Sequence, residues 1–329
     1  ANSFPGYDSA IPPESATVAQ VLRMSGYSTS CFGKWHLAPS WEQSPAGPFD
    51  RWPTGLGFDR FYGTIHGAGS FWDPSSLVRD NQLITAANDP EYRPSEDYYY
   101  TDAISDQAAD YIKSHANQDG DAPFFLYTAY TAPHWPLHAH PEDIAKYKGQ
   151  FSKGWDELQK HRHQKTLELG LVNPDWNLPP REPEAQPWHK AKNKDWQNLR
   201  MEVYAAMIDN VDQNIGRILS TIKKSGEENN TLVLFLSDNG SCAESPGGEN
   251  NIAHVPGPKE YYSHVGPSWA YAQNAPFRRY KSRMHEGGIA TPLIAYWPGI
   301  IPKNSLTNQV GHIIDFLPTF LEIGNGNYP

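Results

Sequence analysis

The sequence predicts an α/β fold: a mixed, mostly parallel central sheet flanked by helices. Helix-like and strand-like segments alternate along the chain, the strand candidates are short apolar runs, and polar residues gather where those runs end. The last feature matches the ligand crevice of an open α/β sheet. At 329 residues the chain is long enough for one large α/β domain or two smaller ones.

The elements follow in order. Ala16 to Ser25 reads as a short amphipathic helix, with Val18, Val21 and Leu22 on one face and Gly26 as its stop. Tyr27 to Phe32 reads as a strand. Tyr98 to His115 is a second helix, carrying Ile104, Ala108, Tyr111 and Ile112, and Phe124 to Tyr130 is a buried strand by its bulk. From Trp196 to Lys224, Tyr204, Met207, Ile208, Val211, Ile215, Ile218, Leu219 and Ile222 form a stripe of helical period that Gly226 ends. Thr231 to Ser237 and Pro292 to Trp297 are further strands, and Ile313 to Ile323 is a last helix. Pro-rich Asn173 to Trp188 reads as an irregular excursion. Gly240 to Tyr280 shows little periodicity and reads as a long functional loop.

Composition removes several function classes. Lys and Arg number 27 against 37 Asp and Glu, a net charge of −10, so the chain is a poor polyphosphate binder and nucleic acid is not an expected partner. No apolar run approaches the roughly 18 residues of a membrane span. Two cysteines make no disulfide scaffold.

Four places concentrate chemistry. Gly33-Lys34-Trp35-His36-Leu37 closes the first strand; in an extended chain Lys34 and His36 share a face and suit an oxyanion, although a solvated Lys beside a packed His reads the same way. Ala132-Pro133-His134-Trp135-Pro136 holds a His between two prolines, either as a functional group or as a turn residue. Ser237-Asp238-Asn239-Gly240 offers hard oxygen ligands for a divalent cation, in a pattern that is also ordinary turn chemistry. Lys281 to Gly288 sets a cation before a glycine pair, or is a charged surface loop. Neither Cys31 nor Cys242 sits beside a visible His–base pair, which argues against a thiol nucleophile. Asp209 and Asp212 read as solvated or capping residues, and His264, Trp269 and Asn274 as loop residues.

In this order the segments resemble the formylglycine-dependent sulfatases, in their arylsulfatase-like form. The resemblance is carried by Gly26-Tyr27-x-Thr29-x-x-x-Gly33-Lys34-Trp35-His36-Leu37, by Pro123-Phe-Phe-Leu with Ala132-Pro133-His134-x-Pro136-Leu137, and by Tyr204-Ala-Ala-Met-Ile-Asp209 with Asp212 and Ile215-Gly216-Arg217. Asn230 to Gly240, His285 to Pro298 and Asp315-x-x-Pro318-Thr319 complete it. It implies an alkaline-phosphatase/sulfatase-like fold and calcium-dependent hydrolysis of a sulfate ester to an alcohol or phenol and sulfate. It further implies Asp238 and Asn239 as calcium ligands, Lys34, His134 and Lys281 as cationic contacts to the sulfate group, and His36 as partner of the hydrated formylglycine. A protonated His134 or Lys281 beside the leaving oxygen would serve as general acid. The implied partner is a sulfated small molecule or carbohydrate, and the implied location periplasmic or extracellular.

The departures are equally specific. The family nucleophile stands in Cys/Ser-x-Pro-x-Arg, yet Cys31 is followed at those offsets by Gly33 and Trp35, and Cys242 by Glu244 and Pro246. Ser3-Phe4-Pro5 begins correctly and ends in Tyr7, and the family's paired N-terminal aspartates have no counterpart. The expectation is therefore that residues 1–329 are a partial sulfatase catalytic domain, an internal fragment without the nucleophile segment, its strand and the C-terminal subdomain, and silent by itself. The alternatives are a phosphate or phosphonate monoester hydrolase of the same superfamily, and a non-catalytic anion- or glycan-binding homologue.

Overall fold

A computed structural model describes residues 9–94, 97–118, 122–246, 248 and 251–326. Ser3 to Tyr7 lie outside the described residues. In chain order the first half contains α1 (Val18–Met24), β1 (Ser28–Lys34), β2 (Arg60–Thr64), β3 (Leu77–Arg79), β4 (Gln82–Leu83), α2 (Tyr100–Ala116), β5 (Phe124–Ala129) and α3 (Pro141–Lys146). The second half contains α4 (Gly154–Glu168), α5 (Lys194–Lys224), β6 (Val233–Leu236), α6 (Gly266–Gln273), α7 (Glu286–Ile289), β7 (Leu293–Tyr296) and α8 (Phe316–Ile323). Two compact units divide them: Ala1–Thr131, Gln213–Gly226 and Thr307–Pro329 form the first, and Ala132–Asp212 with Glu227–Leu306 the second.

The first unit holds a five-stranded mixed sheet in the order β4-β3-β2-β1-β5. β1 is parallel to β2 and to β5, while β3 and β4 add antiparallel edges. Five consecutive residues of β1 are buried, as expected of a strand covered on both faces. α1 starts where its sequence says it should: Thr17 and Gln20 form a reciprocal capping box, Gln20 N–H donating to Thr17 Oγ1 at 3.1 Å and Thr17 N–H to Gln20 Oε1 at 2.9 Å. Trp35, Trp52, Phe58 and Phe61 pack with Cys31 and Ile65 into the core of this unit. The indole N–H groups of Trp35 and Trp52 donate to the Arg51 and Glu42 carbonyls, so neither ring buries an unmet donor.

In the second unit α4 packs on α6, and Trp155, Trp188 and Trp269 meet at ring-centroid distances of 4.6 to 6.1 Å. β6 and β7 pair antiparallel as a separate two-stranded sheet, with Val233 opposite Tyr296 and Leu236 opposite Leu293. The late strands thus satisfy their ladders on each other, and all four β7 residues are exposed. The segment read as a long loop, Gly240 to Tyr280, contains α6. Seven of the eight α6 residues are buried, Ser268 and Gln273 among them, so the helix is covered on all sides and has no apolar stripe to read. α4 has the opposite composition: mostly charged and polar, it is held through buried Trp155, whose N–H donates to Gln186 O at 2.7 Å. Asp209, read as a solvated or capping residue, pairs with Lys146 at 2.9 Å.

Candidate active site

Each unit carries its own set of the residues singled out above. In the first, β1 ends at Lys34, and the ladder with β2 runs on through Trp35 N–H to Thr64 O at 2.9 Å and His36 N–H to Ile65 O at 3.1 Å. Lys34 is half-buried, Trp35 is in the core and His36 is exposed. The extended geometry that would place Lys34 and His36 on one face stops short, because His36 has a φ of 57°. Gly67 makes room for the ring: a Cβ there would lie 2.3 Å from His36 Cε1.

In the second unit, β6 delivers Ser237-Asp238-Asn239-Gly240 into a crowded turn. Gly240 N–H donates to Gly288 O at 3.2 Å, and a Cβ on Gly240 would lie 1.7 Å from Gly287 O, an approach only glycine permits. Asn274, at the C-terminus of α6, ties the turn to the loop that follows. Its Oδ1 accepts from Ser241 N–H at 2.9 Å, and its Nδ2 donates to Arg279 O at 3.0 Å and Gly287 O at 2.8 Å. Lys281 N–H then donates to Ser241 O at 3.0 Å, which fixes the lysine backbone beside the turn.

The side chains complete a charged cluster. Lys281 Nζ lies 3.2 Å from His134 Nε2 and 3.2 Å from a Glu244 carboxylate oxygen. The Trp135 indole N–H donates to the other Glu244 oxygen at 2.9 Å. His134 Nδ1 faces the Trp135 carbonyl at 2.8 Å, so the ring proton belongs on Nδ1 and the Nε2 lone pair faces the ammonium. Partial burial acts to raise the Glu244 pKa, but the Trp135 N–H, the Lys281 charge and the Cys242 thiol outweigh it and hold the carboxyl below its ordinary range. Burial pushes the Cys242 thiol up, and does so far more strongly for fully buried Cys31, which leaves the latter inert.

The structure therefore puts His134 and Lys281, 147 positions apart, in direct contact. Sequence reasoning passed over Glu244 and Trp135 and did not raise Asn274 above the surface. Glu244 stands two residues after Cys242, and Trp135 lies inside the Pro-His-Trp-Pro segment itself, so both were open to notice.

Asp238 and Asn239 suit a hard divalent cation by donor type. The Asp238 carboxylate is exposed, and Asn239 Nδ2 donates to Gly240 O at 2.8 Å, leaving Oδ1 as an available acceptor. They supply part of the roughly six to eight oxygens calcium takes.

A five-stranded mixed sheet with flanking helices, beside a separate β6–β7 pair, defines an α/β protein. The chain belongs to the sulfatase family, whose model matches residues 2–326. It is 32% identical to an uncharacterized sulfatase of Schizosaccharomyces pombe over 99% of this chain and 61% of that protein. It is 30% identical to an arylsulfatase of Klebsiella aerogenes over 96% of this chain and 69% of that protein. The chain thus spans roughly two thirds of these relatives. The fold is shared with the crystal structure of Ps i-CgsB in complex with k-i-k-neocarrahexaose, at a TM-score of 0.64 and 22% identity, covering 98% of this chain and 56% of that one.

Proposed function

We propose that these residues serve a calcium-dependent, arylsulfatase-type hydrolysis of a sulfate ester. The contact between Lys281 Nζ and His134 Nε2 at 3.2 Å carries the reading. A sulfuryl group in transfer keeps negative charge on its oxygens, and an ammonium beside an imidazole is a preorganised acceptor of that charge. Glu244 compensates Lys281 while no anion is present, and an arriving sulfate group takes over that pairing. Lys34 is a further cationic contact to the sulfate, and His36 the partner of the hydrated formylglycine nucleophile. His134 or Lys281, protonated, donates to the leaving oxygen. Asp238 and Asn239 would hold calcium, which supplies Lewis-acid polarisation of the sulfate when bound.

Residues 1–329 contain no Cys/Ser-x-Pro-x-Arg, so this reading makes them a binder of the substrate without turnover. Calorimetric titration of the chain with 4-nitrophenyl sulfate and 4-nitrophenyl phosphate is the test. Saturable sulfate-ester binding, weakened at least tenfold by Lys281→Ala, is expected. Tighter binding of the phosphate ester would move the assignment to the phosphomonoesterase branch, and no binding of either would overturn it. Reading Cys/Ser-x-Pro-x-Arg in the coding sequence on the 5′ side of Ala1, with turnover by the product that carries it, separates the hydrolase from a non-catalytic binder.

A further inference from the structure

His134, Cys242 and Glu244 each place one ligand-capable atom within 4.8 Å of the other two. Nitrogen, sulfur and oxygen donors in one cluster are the mixed set that zinc accepts, whereas calcium and magnesium take oxygens. Two further observations point to a cation at this spot. The first is the tautomer of His134: with Nδ1–H engaged by the Trp135 carbonyl at 2.8 Å, the Nε2 lone pair is directed inward, as in ligating histidines whose second nitrogen donates to a backbone carbonyl. The second is Lys281. Its ammonium lies 3.2 Å from His134 Nε2 and 3.2 Å from Glu244, so a positive charge already rests between two of the three donors.

We infer that His134 Nε2, Cys242 Sγ and the Glu244 carboxylate form a site for one thiophilic divalent cation, with Lys281 as the internal competitor that leaves when the ion enters. Ligands about 2.0–2.3 Å from a tetrahedral zinc sit about 3.3–3.8 Å apart, so the cluster contracts by roughly an ångström to close on the ion. Glu244 has the freedom to make that movement, being 45% exposed. The thiol binds as the thiolate and its proton passes to solvent; no electron is transferred. Three protein donors leave the fourth position to water. The ion and a sulfate ester then compete for His134, a consequence that rests on the function proposed above, whereas metal binding does not.

Cobalt(II) as a spectroscopic substitute and zinc as competitor test the site on the unmodified chain. The expected result is one cobalt per chain with a thiolate-to-cobalt charge-transfer band, bleached by one equivalent of zinc and unchanged by excess calcium. Cys31, fully buried in β1, cannot give that band. Cys242→Ser should abolish the band, Glu244→Gln should weaken zinc at least tenfold, and Lys281→Met should tighten zinc at least threefold by removing the competing ammonium. A cobalt spectrum without thiolate character overturns the site. So does zinc affinity indifferent to Lys281→Met or to Glu244→Gln, or a calcium-displaceable band.

Discussion

The end of β1 in the first unit and the His134–Lys281 cluster in the second present the same kinds of candidate residue, a lysine and a histidine, on different kinds of support. Lys34 and His36 ride on a backbone ladder: the β1–β2 pairing runs to Lys34, and the Trp35 and His36 N–H groups extend it with two further hydrogen bonds, to Thr64 O and Ile65 O. Lys281 and His134 are held largely by side chains, through Asn274, Glu244 and Trp135, with one backbone bond from Lys281 N–H to Ser241 O. The strands differ to match. Five residues of β1 are buried, while β6 is half-buried except for exposed Phe235 (46%) and β7 is exposed throughout, Ile294 at 60%. A ladder-held site yields to changes in the backbone; a side-chain-held site yields to changes in single polar groups.

The strongest way to break the first is Gly33→Ala. Gly33 has a φ of 123°, and a Cβ there would lie 2.1 Å from the Ala129 carbonyl oxygen, a backbone atom of β5 that cannot turn aside. The expected loss is on the order of 3–5 kcal/mol of unfolding free energy, in the range reserved for strain at a special backbone position. Urea denaturation followed by circular dichroism measures it. A loss below about 1 kcal/mol would show that the β1–β5 contact is looser than described.

For the second region the matching change is Asn274→Ala. It removes three hydrogen bonds and leaves Ser241 N–H, Arg279 O and Gly287 O to find other partners. A cost of about 1–3 kcal/mol follows if one of them stays unmet. Because the bonds position the Lys281 loop, sulfate-ester affinity should fall roughly tenfold, more than global stability alone explains. Asn274→Asp sharpens the point: it keeps the acceptor for Ser241 N–H and loses both donors, so it should also fail.

The second unit also carries a buried group that makes its stability depend on pH. His264 is buried; its Nδ1 accepts from Arg200 at 3.0 Å and its Nε2–H donates to Gly248 O at 3.1 Å. Burial first, then the Arg200 charge, lower its pKa from 6.5 to about 4. The folded chain therefore binds fewer protons than the unfolded chain between those values, and stability is full above pH 6.5 and declines as pH falls toward 4. Urea midpoints measured across that window should drop with a slope approaching one proton, and His264→Gln should flatten it. An unchanged slope in the variant would assign the acid sensitivity to other groups.

These contrasts also mark what was legible in the sequence. α5 was readable because its apolar residues recur at the helical period, and the strand-end motifs were readable because Gly, Pro and polar residues stand together after apolar runs. α6 was not, since a helix buried on all sides has no polar face to set a period. His36, read as lying on an extended backbone, has a φ of 57°, and its ring occupies space left by Gly67, thirty-one positions away. Glu244 and Trp135 stand in legible motifs, but their pairing with each other and with Lys281 is not encoded locally. These contacts depend on which loops meet, and no local spacing encodes a contact between residues 37 or 109 positions apart.

The smallest effect should come from Glu244→Gln, and its sign is informative. Glu244 pairs with Lys281 at 3.2 Å, with side-chain exposures of 45% and 25%, so the pair is worth about 0.2–1 kcal/mol at most. Removing the charge should leave folding nearly unchanged, since the amide oxygen still accepts from the Trp135 N–H. What changes is the occupancy of the lysine. With no carboxylate to displace, a sulfate ester meets an ammonium that is already available, and its affinity should rise by up to about fivefold. Raising the salt concentration should shrink the difference between variant and parent, as screening weakens the pair in the parent. A fall in sulfate affinity would mean that Glu244 holds Lys281 in place rather than competing for it, and would make this carboxylate a third support of the side-chain-held site, beside Asn274 and Trp135.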